Sequence, residues 1–240
     1  MGDTKADAWS DARSDSRSDV GMGVGLSAQP IHWWQMDAEP YIDSVGSWDL
    51  TEAGTVVLTA NAAPDGVASA PHFSGAGDYL GITGRAWAHS QYSIAGFYKF
   101  DSLSSTGNYL MTLRDATTNI FSLALRNSGT DFINAAAWDE AQTLTAANPT
   151  TAGLSSGTWY HAMMAVDLLN NSLKLYIDGE FILESTTTVT TGETSSAPLY
   201  FGTSGHNAGH TSLQHLGYLA QWGMWDAILT EADAKFLYNG

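Results

Sequence analysis

Cysteine is absent from this chain of 240 residues. Neither a disulfide framework nor a thiolate metal site is therefore available to stabilise it. Stability must come from burial of apolar side chains. The chain is long enough for that, because β sandwiches often run to about 200–250 residues as one unit.

Positive charge is scarce. Lysine and arginine together number 9 against 25 aspartates and glutamates, which gives a formal net charge of −16. Nucleic-acid backbones and anionic membranes attract basic surfaces, because a basic surface displaces their counterions. The charge balance therefore argues against nucleic acid and membranes as partners.

Long apolar runs are also missing. No segment approaches the ~18 consecutive apolar residues of a transmembrane helix. The N-terminal sequence MGDTKADAWSDARSD lacks the apolar centre of a signal peptide. We therefore expect neither a membrane span nor a secretion signal.

An acidic repeat occupies residues 1–29, with an aspartate at every fourth position from Asp3 to Asp19. On a helix this spacing would stack like charges without any apolar stripe. We expect a solvated arm that anchors the protein to other subunits, the alternative being an arm packed on its own domain. The residues expected to make the anchoring contacts are Asp7, Trp9, Asp11, Arg13, Asp15 and Arg17.

From residue 30 to residue 240 the sequence shows the pattern of short β-strands. Leu173, Leu175 and Ile177 alternate with polar residues, as in a strand with one buried face. Asp178-Gly179 then predicts a tight hairpin turn. Other strands are expected at 91–100, 108–114, 159–167, 180–184 and 197–202. The pattern favours an all-β sandwich.

The closing segment combines an aromatic strand, expected at 216–225, with a short helix. Thr230 is placed to cap this helix, because its hydroxyl can accept from the backbone near Asp233 while the Asp233 carboxylate reaches back to Thr230.

Six motifs, in order, resemble those of laminin-G-like domains of the concanavalin A-like lectin/glucanase group. They are HWWQMD at 32–37, FSGAGDYL at 73–80, QYSIAGFYKF at 91–100, WYH at 159–161, LYIDG at 175–179 and GYLAQWGMWDAILTEADAKFLYN at 217–239. The resemblance covers about residues 30–240. It implies a two-sheet antiparallel jelly roll with a short C-terminal helix, used mostly for binding outside cells.

Some relatives with this architecture hydrolyse β-glucans, which requires two carboxylates flanking the scissile bond. Their E-x-D-x-x-E run has no equivalent here. Asp37 and Glu39 lie two residues apart at a strand end, and the adjacent Asp139 and Glu140 would point to opposite faces of a strand. We therefore expect no enzymatic activity and no catalytic residues.

The resemblance also implies a calcium ion, because several relatives hold one at the sandwich rim with Asp and Asn side chains. Asp115 and Asn119 lie between two consecutive strands, about where that site would fall. Calcium prefers six to eight oxygen ligands. The alternative is that both side chains form an Asx turn. No other cofactor is expected.

Ligand contacts are expected in loops, because loops carry recognition on a strand scaffold. The candidates are Trp138, with His206, Asn207 and His210 in the glycine-rich loop before the last strand. Trp87 is a further candidate. Trp34, Trp159, Trp222 and Trp225 fall in strand patterns and are expected to be buried with their N–H groups paired.

These features favour a non-enzymatic virion structural or adhesion protein, of a tailed bacteriophage, that displays a glycan-binding jelly roll at the virion surface. Its partners would be other virion subunits, reached through the arm, and cell-surface glycans, within a homo-oligomer or larger assembly. Virions leave the cell by lysis, which would explain the missing secretion signal. The alternatives are a secreted, extracellular bacterial carbohydrate-binding protein and a β-glucan hydrolase.

Overall fold

The computed structural model describes residues 25–66, 68–75, 77–102, 108–114, 118–127, 131–138, 144–147, 154–186, 196–204 and 214–239. Predictions for residues outside these ranges stay predictions. They concern Asp115, Asp139, Glu140, His206, Asn207 and His210, and the arm residues Asp7, Trp9, Asp11, Arg13, Asp15 and Arg17.

Within the described residues the chain forms fifteen strands and one helix. They are β1 His32–Trp34, β2 Thr51–Ala53, β3 Val57–Thr59, β4 Ala70–Phe73, β5 Tyr79–Ala86, β6 Gln91–Phe100, β7 Asn108–Arg114, β8 Asn119–Asn127, β9 Asp131–Trp138, β10 Leu144–Ala147, β11 Trp159–Asp167, β12 Ser172–Ile177, β13 Glu180–Thr186, β14 Ser196–Phe201, β15 Gly217–Trp225 and α1 Glu231–Asn239.

The strands form two antiparallel sheets. The eight-stranded sheet has the order β13-β12-β11-β6-β15-β4-β3, with β1 also paired to β15, and the seven-stranded sheet has the order β10-β9-β8-β7-β14-β5-β2. This arrangement confirms the predicted all-β, two-sheet antiparallel jelly-roll sandwich with a short C-terminal helix. No helix in the described part of the chain has the length and apolar character needed to cross a membrane.

The core lies between the two sheets and follows the period-2 pattern of the strands. In the eight-stranded sheet, Leu175, Met164, Ile94 and Met224 are partners in register on β12, β11, β6 and β15. All four are fully buried. Leu175 therefore faces the core, as its alternation with polar residues predicted.

Aromatic side chains join the two sheets. Phe201 on β14 lies edge-on to Trp34 of β1, with 5.3 Å between ring centroids, and to Trp222 of β15, at 5.7 Å. The Trp34 N–H donates to the carbonyl of Trp48, and the Trp222 N–H to the carbonyl of Phe97. The core positions and paired N–H groups expected for these two tryptophans are confirmed.

The β12–β13 hairpin turns at Asp178 and Gly179, whose φ angles are 50° and 79°. Positive φ at both central residues is the requirement of a type I′ turn, which confirms the predicted hairpin. The turn also lies against the closing helix, because a Cβ at Gly179 would come within 2.9 Å of the Lys235 Cα.

Helix α1 starts with the predicted capping box. The Thr230 N–H donates to Asp233 Oδ2 at 2.7 Å, and the Asp233 N–H donates to Thr230 Oγ1 at 3.3 Å. The Ser27 N–H and hydroxyl also donate to this carboxylate. The helix packs on the outer face of the eight-stranded sheet, in a cluster that includes Met163 and Trp225.

Candidate ligand-binding face

The outer face of the seven-stranded sheet has a floor of small side chains. Ala136, Ser122, Thr112, Tyr200 and Gly81 are partners in register across β9, β8, β7, β14 and β5. The neighbouring rows fill the core, so this row points away from it. Four of the five residues are no larger than threonine, and all five are buried.

One side of this floor is bounded by tyrosines. The Tyr200 ring lies over Gly81, where a Cβ would come within 2.7 Å of the ring. Tyr79 lies edge-on to Tyr200, with 5.3 Å between centroids. Glycine at position 81 is therefore required by the close approach of the Tyr200 ring.

The other side is built by Arg114, Trp138 and Tyr109. The Arg114 Cζ lies over both rings, 5.5 Å from the Trp138 centroid and 5.9 Å from the Tyr109 centroid. Arg114 is only 8% exposed, whereas the two rings are partly exposed. Both distances fall within the range of cation–π attraction, so the two rings hold the guanidinium between them.

A β-bulge places Arg114 at this rim. Leu113 pairs with Phe121 and Arg114 pairs with Asn119, so Ile120 is the extra residue of β8. Ile120 and Phe121 are both buried in the core. Bulges commonly redirect the side chains that follow them. Here the bulge sets Arg114 and Asn119 opposite each other at the end of the β7–β8 hairpin.

The polar groups on the floor are engaged by the backbone. The Thr112 hydroxyl donates to the carbonyl of Thr203 at 3.2 Å, and the Asn134 amide donates to the carbonyl of Ala147 at 3.4 Å. Both residues are buried. A ligand on this face would therefore contact the partly exposed rim formed by Tyr109, Trp138 and Asn119.

No group of three or more His, Asp or Glu side chains suited to a metal ion occurs among the described residues. Asn119 is partly exposed at the rim and is the strand partner of Arg114. A single amide oxygen next to a fixed positive charge is a poor donor set for calcium, which favours several anionic oxygens.

A family model described as the concanavalin A-like lectin/glucanases superfamily matches residues 74–235. The chain belongs to this superfamily. The matched segment begins directly after β4 and ends inside α1, so it contains most of both sheets and the whole candidate face. Comparison with curated protein sequences finds no match.

Several solved structures share this superfamily fold. Domain 4 of AbnA, an extracellular arabinanase from Geobacillus stearothermophilus solved with arabinotriose, is 16% identical with a TM-score of 0.67, over 87% of this chain and 98% of that domain. The binding domain of Paraclostridial Mosquitocidal Protein 1 is 15% identical with a TM-score of 0.70, over 88% of this chain and 52% of that one.

The ligand binding domain of botulinum neurotoxin serotype D, solved with N-acetylneuraminic acid, is 15% identical with a TM-score of 0.66. The match covers 88% of this chain and 50% of that one. The chain thus spans about half the length of the two toxin domains. At these identities the likeness shows the shared fold.

Two tryptophans of this superfamily member lie elsewhere than predicted. Trp87, a candidate ligand contact, is 1% exposed and packs edge-on against Tyr92 and Phe121 at 5.2 and 5.7 Å. That prediction was wrong, because the chain turns inward directly after β5. Trp159, predicted to be buried, is partly exposed on the outer face of the eight-stranded sheet.

His215, in the segment leading to the last strand, is fully buried between the rings of Phe73 and Phe100. Burial lowers its pKa to about 4, so the ring is neutral near pH 7. Its Nε2 lies 3.2 Å from the carbonyl oxygen of Tyr218, which can only accept a hydrogen bond. His215 therefore serves the packing of this segment.

Among the candidate ligand residues, the structure places Trp138 and Asn119 on the same rim. Arg114 and Tyr109 were missed. They lie in a strand that the sequence did predict, but nothing in the alternation of β7 shows that Trp138 of β9 approaches the same guanidinium. That approach depends on the pairing of three strands.

Proposed function

We propose that the chain is a non-enzymatic, lectin-like protein that binds a glycan at the rim formed by Tyr109, Arg114 and Trp138. The observation that carries the proposal is the Arg114 guanidinium held between two partly exposed aromatic rings. Aromatic faces pack against the C–H faces of sugars. Arg114 itself is only 8% exposed, so its guanidinium would act mainly by holding the two rings in place for the sugar.

Two structural neighbours support a sugar as the ligand class. The arabinanase domain was solved with arabinotriose and the toxin domain with N-acetylneuraminic acid. Hydrolysis is the alternative that this proposal sets aside. Two acidic pairs were considered for hydrolysis. One of them, Asp37 and Glu39, follows β1, and β1 pairs in the sheet opposite the candidate face.

The test is a glycan array read with the full chain, followed by titration of the best ligand. Trp138→Ala should weaken binding at least about tenfold, which corresponds to about 1.4 kcal/mol. Tyr238→Ala is the matched control, because Tyr238 is an exposed aromatic on helix α1 and far from the proposed site in the fold. Equal losses in the two variants, or no binding to any glycan, would contradict the proposal.

Calcium is a separate proposal. Asn119 alone does not fit the ion, so a site here needs Asp115 and carbonyl oxygens as well, and we expect it to be weak. The array should be read with calcium and again with a chelator, alongside Asp115→Ala. Binding that survives both changes would show that the rim residues recognise the glycan without a metal.

We further propose that residues 1–29 attach the jelly roll to a larger assembly, one version of which is a tailed-phage virion, because lysis would release it without a secretion signal. The described strands and the helix all lie after residue 30, and Ser27, which donates to the helix cap, is kept when residues 1–24 are removed. A secreted carbohydrate-binding protein is the alternative. Either version places the jelly roll outside the cell.

Deletion of residues 1–24 tests the attachment. The shortened chain should melt within a few degrees of the full chain, since it retains the core, but should no longer associate into particles or oligomers. Mass spectrometry of purified particles would separate a virion from a secreted protein. Unchanged assembly after the deletion would rule out the arm as the anchor.

A further inference from the structure

A second aromatic and polar surface lies on the outer face of the eight-stranded sheet. Trp159, Lys99, Tyr218 and His72 are partners in register on β11, β6, β15 and β4. Residues in register share a face, and with strands about 4.8 Å apart the four side chains form a row about 14 Å long. We call these four residues the lysine row.

The lysine row is distinct from the surface under helix α1. Trp159 and Tyr218 pack with Phe97 and Ala220 in a small cluster that also includes Ala62, Ala63 and Ala68, whereas the helix packs in a different cluster. All four members of the row are partly exposed. Residues 155–158, which precede Trp159, are fully exposed and polar. The row is thus accessible from solvent along a polar edge.

Two rings hold the Lys99 ammonium in place. Its Nζ lies 4.1 Å from the Tyr218 centroid and 5.2 Å from the Trp159 centroid. The Trp159 ring is itself fixed, because its N–H donates to the carbonyl of Ala62 at 3.0 Å. Cation–π contacts of this kind orient an ammonium without neutralising it.

The charge of Lys99 has no carboxylate partner in the part of the chain that the structure describes, where none of the ion pairs includes it. Asp101 lies on the same face two residues later, but its Oδ2 is 2.6 Å from His72 Nε2. The carboxylate at this end of the row is therefore engaged by the histidine. Lys99 is left as an oriented cation beside two rings.

We propose that the lysine row binds the carboxylate-bearing sugar of an acidic glycan. The carboxylate would pair with Lys99, and the ring of the sugar would pack on the exposed part of Trp159, because the Tyr218 ring is already covered by the Lys99 ammonium at 4.1 Å and by the His72 ring at 4.5 Å. The nearby carboxylate of Asp101 is paired with His72, and charges more than about 8 Å away are largely screened at physiological ionic strength. A neutral sugar would gain the ring contacts but not the ion pair.

This site lies on the sheet opposite the rim of Arg114 and Trp138, and it does not depend on that rim. Its experiment uses the full chain titrated with sialyllactose and with lactose, which share the same neutral disaccharide. Sialyllactose should bind at least about tenfold more tightly than lactose. Trp138→Ala should leave this preference unchanged, which separates this inference from the function proposed above.

The decisive variant is Lys99→Met, which removes the charge and keeps an apolar stem between the rings. It should abolish the preference for sialyllactose. Lys174→Met is the matched control, because Lys174 lies on β12 of the same sheet with its side chain away from the core. Equal affinities for the two sugars in the native chain, or a preference that survives Lys99→Met, would overturn the proposal.

A second measurement does not depend on the folding of that variant. The indole N–H resonance of Trp159, assigned by Trp159→Phe, should shift when sialyllactose is added to the native chain and should stay in place with lactose. An unchanged resonance at saturating sialyllactose would also overturn the proposal.

Discussion

The carboxylate of Asp43 lies 2.6 Å from Nδ1 of His32, with the Asp43 side chain fully buried. The same carboxylate accepts from the backbone N–H groups of Trp33, Gly46 and Trp48 at 2.9–3.0 Å. Burial alone would raise the pKa of Asp43, but these hydrogen bonds outweigh it and lower the pKa to about 2. The carboxylate therefore ties the turn after β1 to that strand.

We expect Asp43→Asn to destabilise the protein by at least about 2 kcal/mol near neutral pH, because the amide loses one acceptor oxygen and the negative charge. A carboxyl whose folded-state pKa is lowered stabilises above its ordinary pKa and loses this contribution as pH falls through the folded value. The difference between the two proteins should therefore shrink below about pH 4. Urea unfolding near pH 6 and near pH 3 measures it, and a constant difference would contradict the expectation.

Leu175→Ala should lower the free energy of unfolding by roughly 2–5 kcal/mol, the usual cost of a large-to-small change in a core. Leu175 is fully buried and in register with Met164 of β11. Lys174→Ala, one residue earlier and facing away from the core, should cost less than about 0.5 kcal/mol. Thermal or urea unfolding compares the two variants, and similar costs would mean that the register of β12 differs from that described.

Arg114→Lys should weaken glycan binding at the rim by about tenfold while the protein remains folded. Lysine keeps the charge beside Tyr109 and Trp138 but lacks the planar guanidinium that contacts both rings. Titration with the array's best glycan measures the change. Full retention of affinity would show that a charge at this position is enough to hold the two rings.

Gly179→Ala should destabilise more than Gly157→Ala. Both glycines have positive φ, 79° and 74°. Replacing either with alanine therefore has a similar conformational cost of about 1–2 kcal/mol. Only at Gly179 would the new Cβ meet other atoms, the nearest being the Lys235 Cα at 2.9 Å. Melting temperatures of the two variants test this, and equal shifts would argue against close packing of the hairpin on the helix.

Much of the fold could be predicted from the sequence because its signals are local. The strands expected at 91–100, 108–114 and 159–167 have those limits in the structure. The Thr230 and Asp233 cap spans only four residues. In each case the pattern depends on residues close together in the sequence. The tertiary structure of the sandwich agrees with it.

The sides of the strands were harder to predict, since alternation defines two faces but not what covers the outer one. Trp225 is fully buried even though it lies on the outer face, because α1 packs over it. Its N–H has no hydrogen-bond partner in the described part of the chain, so the predicted pairing was wrong. Trp159 faces outward too, but Ala62, Ala63 and Ala68 cover it only in part.

The candidate site could be predicted only in pieces. Trp138 and Asn119 were singled out as loop residues, and the structure places both at strand ends on one rim. Arg114 and Tyr109 join them through a bulge and the pairing of β7 with β8. Bulge positions and long-range register have no signature in a single sequence, so this grouping required the folded chain.

The hydrogen bonds from Ser27 to Asp233 fix the side of the sandwich on which the chain enters the domain. The chain enters the domain beside α1, on the outer side of the eight-stranded sheet, where Gly25 also lies against the Phe236 ring. The rim of Arg114 and Trp138 is on the far side of the sandwich. If the domain is tethered through its first residues, the rim faces away from the tether and the lysine row lies on the tethered side. The two surfaces would then contact different molecules.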